Sequence, residues 1–153
     1  MLRATGTLSV EPQRGRIVLN TSRDFVELYS WFIKKHFWYQ LGTPAHGAHI
    51  TLTNSKLHSN VNWKKAVSHD KREFSFDYDE NMIRGGYTKG FIMFYMKVFS
   101  EELEKLKQKL KIIDGPGYRG LHMTIVTEKG KQLRPYWPKM IQIKPMIKTE
   151  IIC

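Results

Sequence analysis

Polar and apolar residues alternate in two short stretches of the chain that share a His-x-Thr sequence. In GAHITLTN, residues 47–54, apolar residues alternate with His49, Thr51 and Thr53. In GLHMTIVTE, residues 120–128, the same alternation recurs and again starts with a His-x-Thr sequence. Because successive side chains of a strand point to opposite faces, each stretch predicts a strand with one apolar face and one polar face.

Other stretches predict the rest of a sheet. ATGTLSV and RIVLN, joined by the turn EPQRG, predict a hairpin. REFSFDYD alternates aromatic residues on one face, and FIMFYMKVF is apolar throughout. The latter is typical of a central strand buried on both faces, with a helix as the alternative. IQIKPMIKTEII predicts a last extended segment in which Pro145 favours an edge, whereas NMIRGGYTKG is interpreted as a turn-rich loop.

Helical periodicity occurs in two longer stretches. In residues 21–42 a Thr-Ser pair can cap a helix, apolar residues recur at helical spacing, and Gly42 can end it. Residues 100–113 predict a second helix, capped by Ser100. NWKKAV between the two predicts a short helical turn. The apolar stripe of the second helix consists of Leu103, Leu106, Leu110 and Ile113.

The order of these elements recurs along the chain. Each half runs from a strand to an amphipathic helix, a Gly/Pro loop and a strand that begins with His-x-Thr. Strands and helices mix without a βαβ rhythm, which favours an α+β fold with mainly antiparallel sheet. With 153 residues and no Pro/Gly/Ser linker, residues 1–153 are predicted to form a single domain.

The amino-acid composition indicates the charge of a binding partner and the cellular compartment. The net charge is +11 and the pI about 9.8, which favours an anionic partner such as nucleic acid, a nucleotide or an acidic surface. A lysine excess that only keeps the protein in solution is the alternative. The only cysteine, Cys153, excludes an internal disulfide and favours a reducing, cytoplasmic location. The chain has no membrane-length apolar run and no signal-peptide core, so no membrane partner is expected.

The two His-x-Thr strands carry residues suited to phosphate chemistry. Histidine exchanges protons near neutral pH, so His49 and His122 on opposite sides of one phosphorus provide a base and an acid. Thr51 and Thr124 can donate hydrogen bonds to the non-bridging phosphate oxygens. We favour His49 as the base and His122 as the acid, although the sequence does not fix the direction. Because an imidazolium and nearby cations supply positive charge, no metal or other cofactor is expected. Two strands whose polar faces only contact water are the alternative.

HITL and HMTI resemble the paired motifs of the 2H phosphoesterase superfamily, in which His, a hydrophobic residue, Thr and a hydrophobic residue follow one another. The separation of the motifs suits that family, and the repeated order of elements agrees with it over most of the chain. The resemblance implies a bilobal α+β fold with two mainly antiparallel sheets, flanking helices and a pseudo-twofold repeat. It also implies that His49 and His122 are catalytic and that Thr51 and Thr124 bind phosphate.

Members of that superfamily act on 2′,3′-cyclic phosphates, 2′-5′-linked oligoadenylates, RNA ends or cyclic oligonucleotide signals. The resemblance therefore implies a metal-independent phosphodiesterase with a nucleotide or short RNA as its substrate. This compact, basic chain is also similar to viral and phage members that destroy nucleotide second messengers of host immunity. Aromatic and basic side chains near the motifs are candidates for substrate binding: Tyr39, Tyr118, Arg119, Arg134, Tyr136 and Trp137.

Two other functions stay open from the sequence. The first is a basic RNA- or nucleotide-binding module without catalysis, which would need the cations and aromatics but not both histidines. The second is metal-assisted hydrolysis, for which His46, His49 and His58 are the conceivable ligands. Their spacing in an extended loop has no fixed geometry, and no carboxylate lies close in sequence, so a metal site is not favoured.

Overall fold

The computed structural model describes residues 1–37, 41–42, 47–54, 60–86, 92–114, 120–128 and 147–151. Within these ranges the chain forms nine strands and three α-helices. The strands are β1 (Leu2–Glu11), β2 (Arg16–Asn20), β3 (Leu41–Gly42), β4 (His49–Asn54), β5 (Glu73–Tyr78), β6 (Met82–Gly86), β7 (Ile92–Phe99), β8 (His122–Glu128) and β9 (Ile147–Ile151). The helices are α1 (Arg23–Phe37), α2 (Trp63–Val67) and α3 (Glu101–Lys109).

Six strands close into an antiparallel barrel in the order β8-β4-β2-β1-β5-β7, and β7 pairs with β8 to complete the ring. β5 and β6 both pair with the same edge of β7, at different positions along it. β9 pairs in parallel with β6, and the short β3 pairs with β8. The expected bilobal α+β fold with two sheets is therefore wrong, and the protein is mostly β. The reason is that the two halves are hydrogen-bonded along both of their edges, through β1–β5 and through β4–β8.

Most local predictions are confirmed. The β1–β2 hairpin forms around a 3-10 turn at Pro12–Arg14, and Gly15 ends that turn in the left-handed region with φ 63°. β5 and β7 occupy the two aromatic stretches. The side chain of Ser100 accepts a hydrogen bond from the backbone N–H of Leu103, as expected for the cap of α3.

Three predictions of helix and loop boundaries are wrong. α1 ends at Phe37, and Gly42 belongs to β3, where it pairs with a residue of β8. Part of NMIRGGYTKG forms β6, because pairing with β7 and β9 outweighs the loop preference of its glycines. Ile113 lies beyond the end of α3 and is 60% exposed, so it does not extend the buried stripe. Pro145 lies outside the described residues.

The main core lies on one face of the barrel strands. Leu8 faces Leu19, Leu19 faces Ile50, and Ile50 faces Met123, so apolar side chains continue from strand to strand around the ring. Buried residues of α1 and α3 join this cluster. The opposite face carries polar side chains, among them those of His49 and His122. We call these two surfaces the core face and the site face.

Candidate active site

The two His-x-Thr sequences lie side by side on adjacent strands. β4 and β8 pair antiparallel, with His49 directly across from Thr124. Continuing this register by two residues along each strand places Thr51 across from His122. Side chains directly across from each other share a face, so all four residues lie together on the site face. His49, Thr51 and His122 are half-buried, and Thr124 is 9% exposed.

The same backbone device orients both histidines. Nδ1 of His49 lies 2.8 Å from the carbonyl oxygen of Gly47, and Nδ1 of His122 lies 3.0 Å from that of Gly120. A carbonyl oxygen can only accept a hydrogen bond, so Nδ1 carries a hydrogen in each ring. Proton exchange then takes place at Nε2, and both rings are held in the same tautomer.

Both glycines adopt a backbone conformation that other residues rarely take. Gly47 has φ +69° and Gly120 has φ +82°, in the left-handed region. A Cβ at either position would meet nothing within 4 Å, so there is room for a side chain. Glycine is favoured there because of the positive φ angle. The repeated Gly-x-His-x-Thr sequence indicates this hydrogen bond from Nδ1 to the glycine carbonyl, but only its last three residues were used in the sequence analysis.

A bulge follows the threonine in β4. Val18 of β2 pairs with Thr51, but its chain neighbour Ile17 pairs with Thr53. Leu52 is therefore an extra residue in β4. Thr53 therefore shares a face with the core residue Ile17 and is only 4% exposed. Its predicted position farther along the polar face of His49 is wrong, because the bulge reverses the alternation.

A second bulge follows the threonine in β8. Tyr95 pairs with Thr124, but Phe94 pairs with Val126, so Ile125 is the extra residue. Val126 therefore faces the core, where it is 1% exposed. In both strands the His-x-Thr sequence ends where the bulge begins, so the residue two positions after the threonine, Thr53 or Val126, lies on the core face.

Side chains of β7 support the β8 side of the site. The ring of Tyr95 meets the ring of His122 edge to face, with 5.2 Å between their centroids. The hydroxyl of Thr124 lies 3.7 Å from the sulfur of Met93. Together with Ile83, Tyr95 and Met93 form a small apolar cluster separate from the main core. Sequence reasoning treated the aromatics of this strand as core and did not connect Tyr95 with His122.

β2 supplies the corresponding side chains next to β4. Val18 lies across from Thr51, and Arg16 lies two residues farther along the same strand. Arg16 is 6% exposed, and one of its terminal nitrogens lies 3.7 Å from a carboxylate oxygen of Glu11 without forming a hydrogen bond. Burial lowers the pKa of the Arg16 guanidinium, and the nearby Glu11 carboxylate opposes that shift.

The other predicted contacts fall outside the described residues. The proposed substrate-binding rim lies there in full: Tyr39, Tyr118, Arg119, Arg134, Tyr136 and Trp137. His46 and His58, the conceivable metal ligands besides His49, lie there too. In the part of the chain that is described, no three His, Cys, Asp or Glu side chains are grouped as a metal site requires. None of its helices is long and apolar enough to span a membrane.

Comparison with known proteins does not identify a family for this chain. No protein-family model matches it, and neither a curated protein nor a solved structure matches it. The arrangement of the site residues is therefore the basis for assigning a function.

Proposed function

We propose that this protein is a metal-independent phosphodiesterase of the 2H type that cleaves a small RNA-type nucleotide. The observation that carries the proposal is the pairing of β4 with β8, which brings two identically oriented histidines and two threonines onto one face. If the two strands only exposed polar side chains to water, their histidines would not need to be held in the same tautomer by the same hydrogen bond. The net charge of +11 agrees with an anionic substrate.

The spacing of the histidines suits one phosphate between them. His49 and His122 are diagonal neighbours on antiparallel strands, a relation that separates them by roughly 7–8 Å. At this separation of their Cα atoms, both imidazole rings can reach the same phosphate group. Thr51 and Thr124 lie in the other two corners of the same patch, where their hydroxyls can reach the remaining oxygens.

The reaction needs one proton taken up and one delivered. One neutral imidazole removes a proton from water or from the substrate's own 2′-hydroxyl, and that oxygen forms a bond to phosphorus. As the bond from phosphorus to the leaving oxygen breaks, the other ring, as imidazolium, donates its proton to that oxygen. Attack by water gives a phosphomonoester, and attack by the 2′-hydroxyl gives a cyclic phosphate. The threonine hydroxyls stabilise the charge that develops on the non-bridging oxygens.

The substrates to test are 2′-5′ oligoadenylate, 2′,3′-cyclic nucleotides and cyclic dinucleotides. Turnover of the first or the last would agree with a role in countering host antiviral signalling. Each is incubated with the protein in the presence of EDTA. We expect His49→Ala and His122→Ala each to lower kcat by about 10²–10⁴-fold, because each removes one proton-transfer group. The wild-type rate should depend on pH with a bell-shaped profile.

The chain offers a matched control on the same strand. Thr51→Val should lower kcat by about 10²-fold, since it removes a donor to the developing charge. Thr53→Val is the same substitution two residues away, on the core face, and should leave turnover intact. Binding without turnover that is unchanged in both histidine variants would indicate a non-catalytic nucleotide-binding module. Loss of wild-type turnover in EDTA would indicate metal-assisted hydrolysis instead.

A further inference from the structure

We infer that Lys97 binds the negative charge of the substrate on the His122 side of the site. This inference rests on the proposed function for the identity of its substrate. Lys97 lies on β7 directly across from His122, so the two side chains share the site face. Among the described residues, no other lysine is paired as directly with either histidine, and Lys97 is exposed. Sequence reasoning required a nearby cation but did not identify this one, because Lys97 lies within an apolar stretch.

The ammonium group of Lys97 is available for a ligand. Among the described residues, Lys97 forms no ion pair. The acidic side chains near it in the sheet have other partners: Asp77 pairs with Arg3, and Asp79 accepts hydrogen bonds from Asn81. The contact between Lys97 and Asp79 is a backbone one, from the N–H of Asp79 to the carbonyl of Lys97. In the described part of the chain, no carboxylate therefore forms an ion pair with the ammonium of Lys97.

The chemistry of a lysine fits this position. Its ammonium is a compact charge with three donors on a flexible stem, so it can follow a phosphate oxygen without fixing one geometry. The equivalent position across from His49 holds Asn20, which carries no charge. Lys97 thus places a charge directly across from only one of the two histidines, and it should hold the substrate equally in the ground state and the transition state. Removing it should raise KM with little effect on kcat.

The test compares lysines that differ in place but not in charge. Binding of adenosine 2′-monophosphate is measured for wild type, Lys97→Met, Lys97→Arg and Lys109→Met, with uncharged adenosine as the second probe. Lys109 is exposed near the end of α3, the helix that packs against the core face. Lys97→Met should weaken binding of the monophosphate about three- to tenfold, and the loss should shrink as salt rises. Lys97→Arg should restore binding, and adenosine should bind all four proteins alike.

The outcomes separate this inference from the proposed function. A raised KM in Lys97→Met, with Lys109→Met unchanged, supports the inference in a protein that turns over substrate. If no substrate is turned over but binding of the monophosphate still depends on Lys97, the proposed function fails and the anion site stands. Equal effects of Lys97→Met and Lys109→Met would overturn the inference, since net charge alone would explain them. So would a wild-type protein that does not bind the monophosphate.

Discussion

The two histidine strands, β4 and β8, share a backbone design. Each histidine follows a glycine with positive φ by two residues, and its Nδ1 bonds the carbonyl oxygen of that glycine. In each strand a bulge comes directly after the threonine of the motif. These features are set by dihedral angles and register rather than by the surrounding side chains. Orientation of the imidazole is thus provided twice, in the same way.

The side chains that surround the two strands differ. On β2, Asn20 faces the first histidine and Val18 faces the first threonine. On β7, Lys97 and Tyr95 occupy the corresponding positions beside the second motif. A base and an acid need the same orientation but opposite protonation states. The proposed mechanism gives the two rings opposite protonation states, and their unequal neighbours are a difference that could distinguish them. The following substitutions test the shared backbone and the unequal neighbours in turn.

The largest effect is expected where the shared backbone is altered. Gly47→Ala and Gly120→Ala each force a residue with a Cβ into the left-handed region, which costs about 1–2 kcal/mol of unfolding free energy. Any relief of the strain moves the carbonyl that orients the adjacent histidine, so turnover should also fall. Unfolding in denaturant measures the first effect, and kcat/KM at a temperature where both variants are folded measures the second.

Nitrogen NMR of the imidazole rings provides the control for this experiment. In each variant the tautomer of the adjacent histidine should become mixed, while that of the distant one stays fixed. If one glycine tolerates alanine with full stability and activity, the two backbones are not equivalent and the comparison fails at that strand.

A smaller effect is expected at the bulges, where Thr53 of β4 corresponds to Val126 of β8. Thr53 and Val126 occupy equivalent positions on the core face, and the buried hydroxyl of Thr53 has no hydrogen-bond partner among the described residues. Thr53→Val should therefore raise the free energy of unfolding by about 1 kcal/mol, and Val126→Thr should lower it by a similar amount. Thermal or denaturant unfolding of both variants checks the signs. A destabilised Thr53→Val would show that the hydroxyl has a role that the register does not explain.

The site was more predictable from the sequence than the fold was. Period-two alternation is a local property, so GAHITLTN and GLHMTIVTE could be recognised as strands with a shared polar pattern. Their direct pairing, and that of β1 with β5, joins residues far apart in the chain, and no local pattern encodes such a register. Closure of the sheet into a barrel follows from those pairings, whereas the expectation of two separate sheets came from the resemblance to the 2H phosphoesterase superfamily.

Bulges and polar residues in apolar stretches limited the prediction further. GAHITLTN alternates without interruption, so nothing in it shows that Thr53 turns to the core. β6 ends with two glycines, which favour a loop until β7 and β9 are present to pair with them. Lys97 lies within an otherwise apolar stretch, which predicts a buried strand and no position for a charge. Only the register with β8 shows that it faces His122.

The smallest effect is expected from making the neighbours of the two histidines alike. Asn20→Lys places a cation across from His49 as Lys97 lies across from His122, on an exposed position that can accept it. An exposed charge contributes modestly, so the affinity for adenosine 2′-monophosphate should rise only about two- to threefold and should return to the wild-type value at high salt. Asn60→Lys, also at an exposed position, is the matched control because it changes the net charge equally. If both lysines raise the affinity equally, long-range attraction by the whole protein is sufficient. If only Asn20→Lys raises the affinity, a charge strengthens binding only when it lies beside a histidine. The lysine at position 97 is then what distinguishes the two sides of the site.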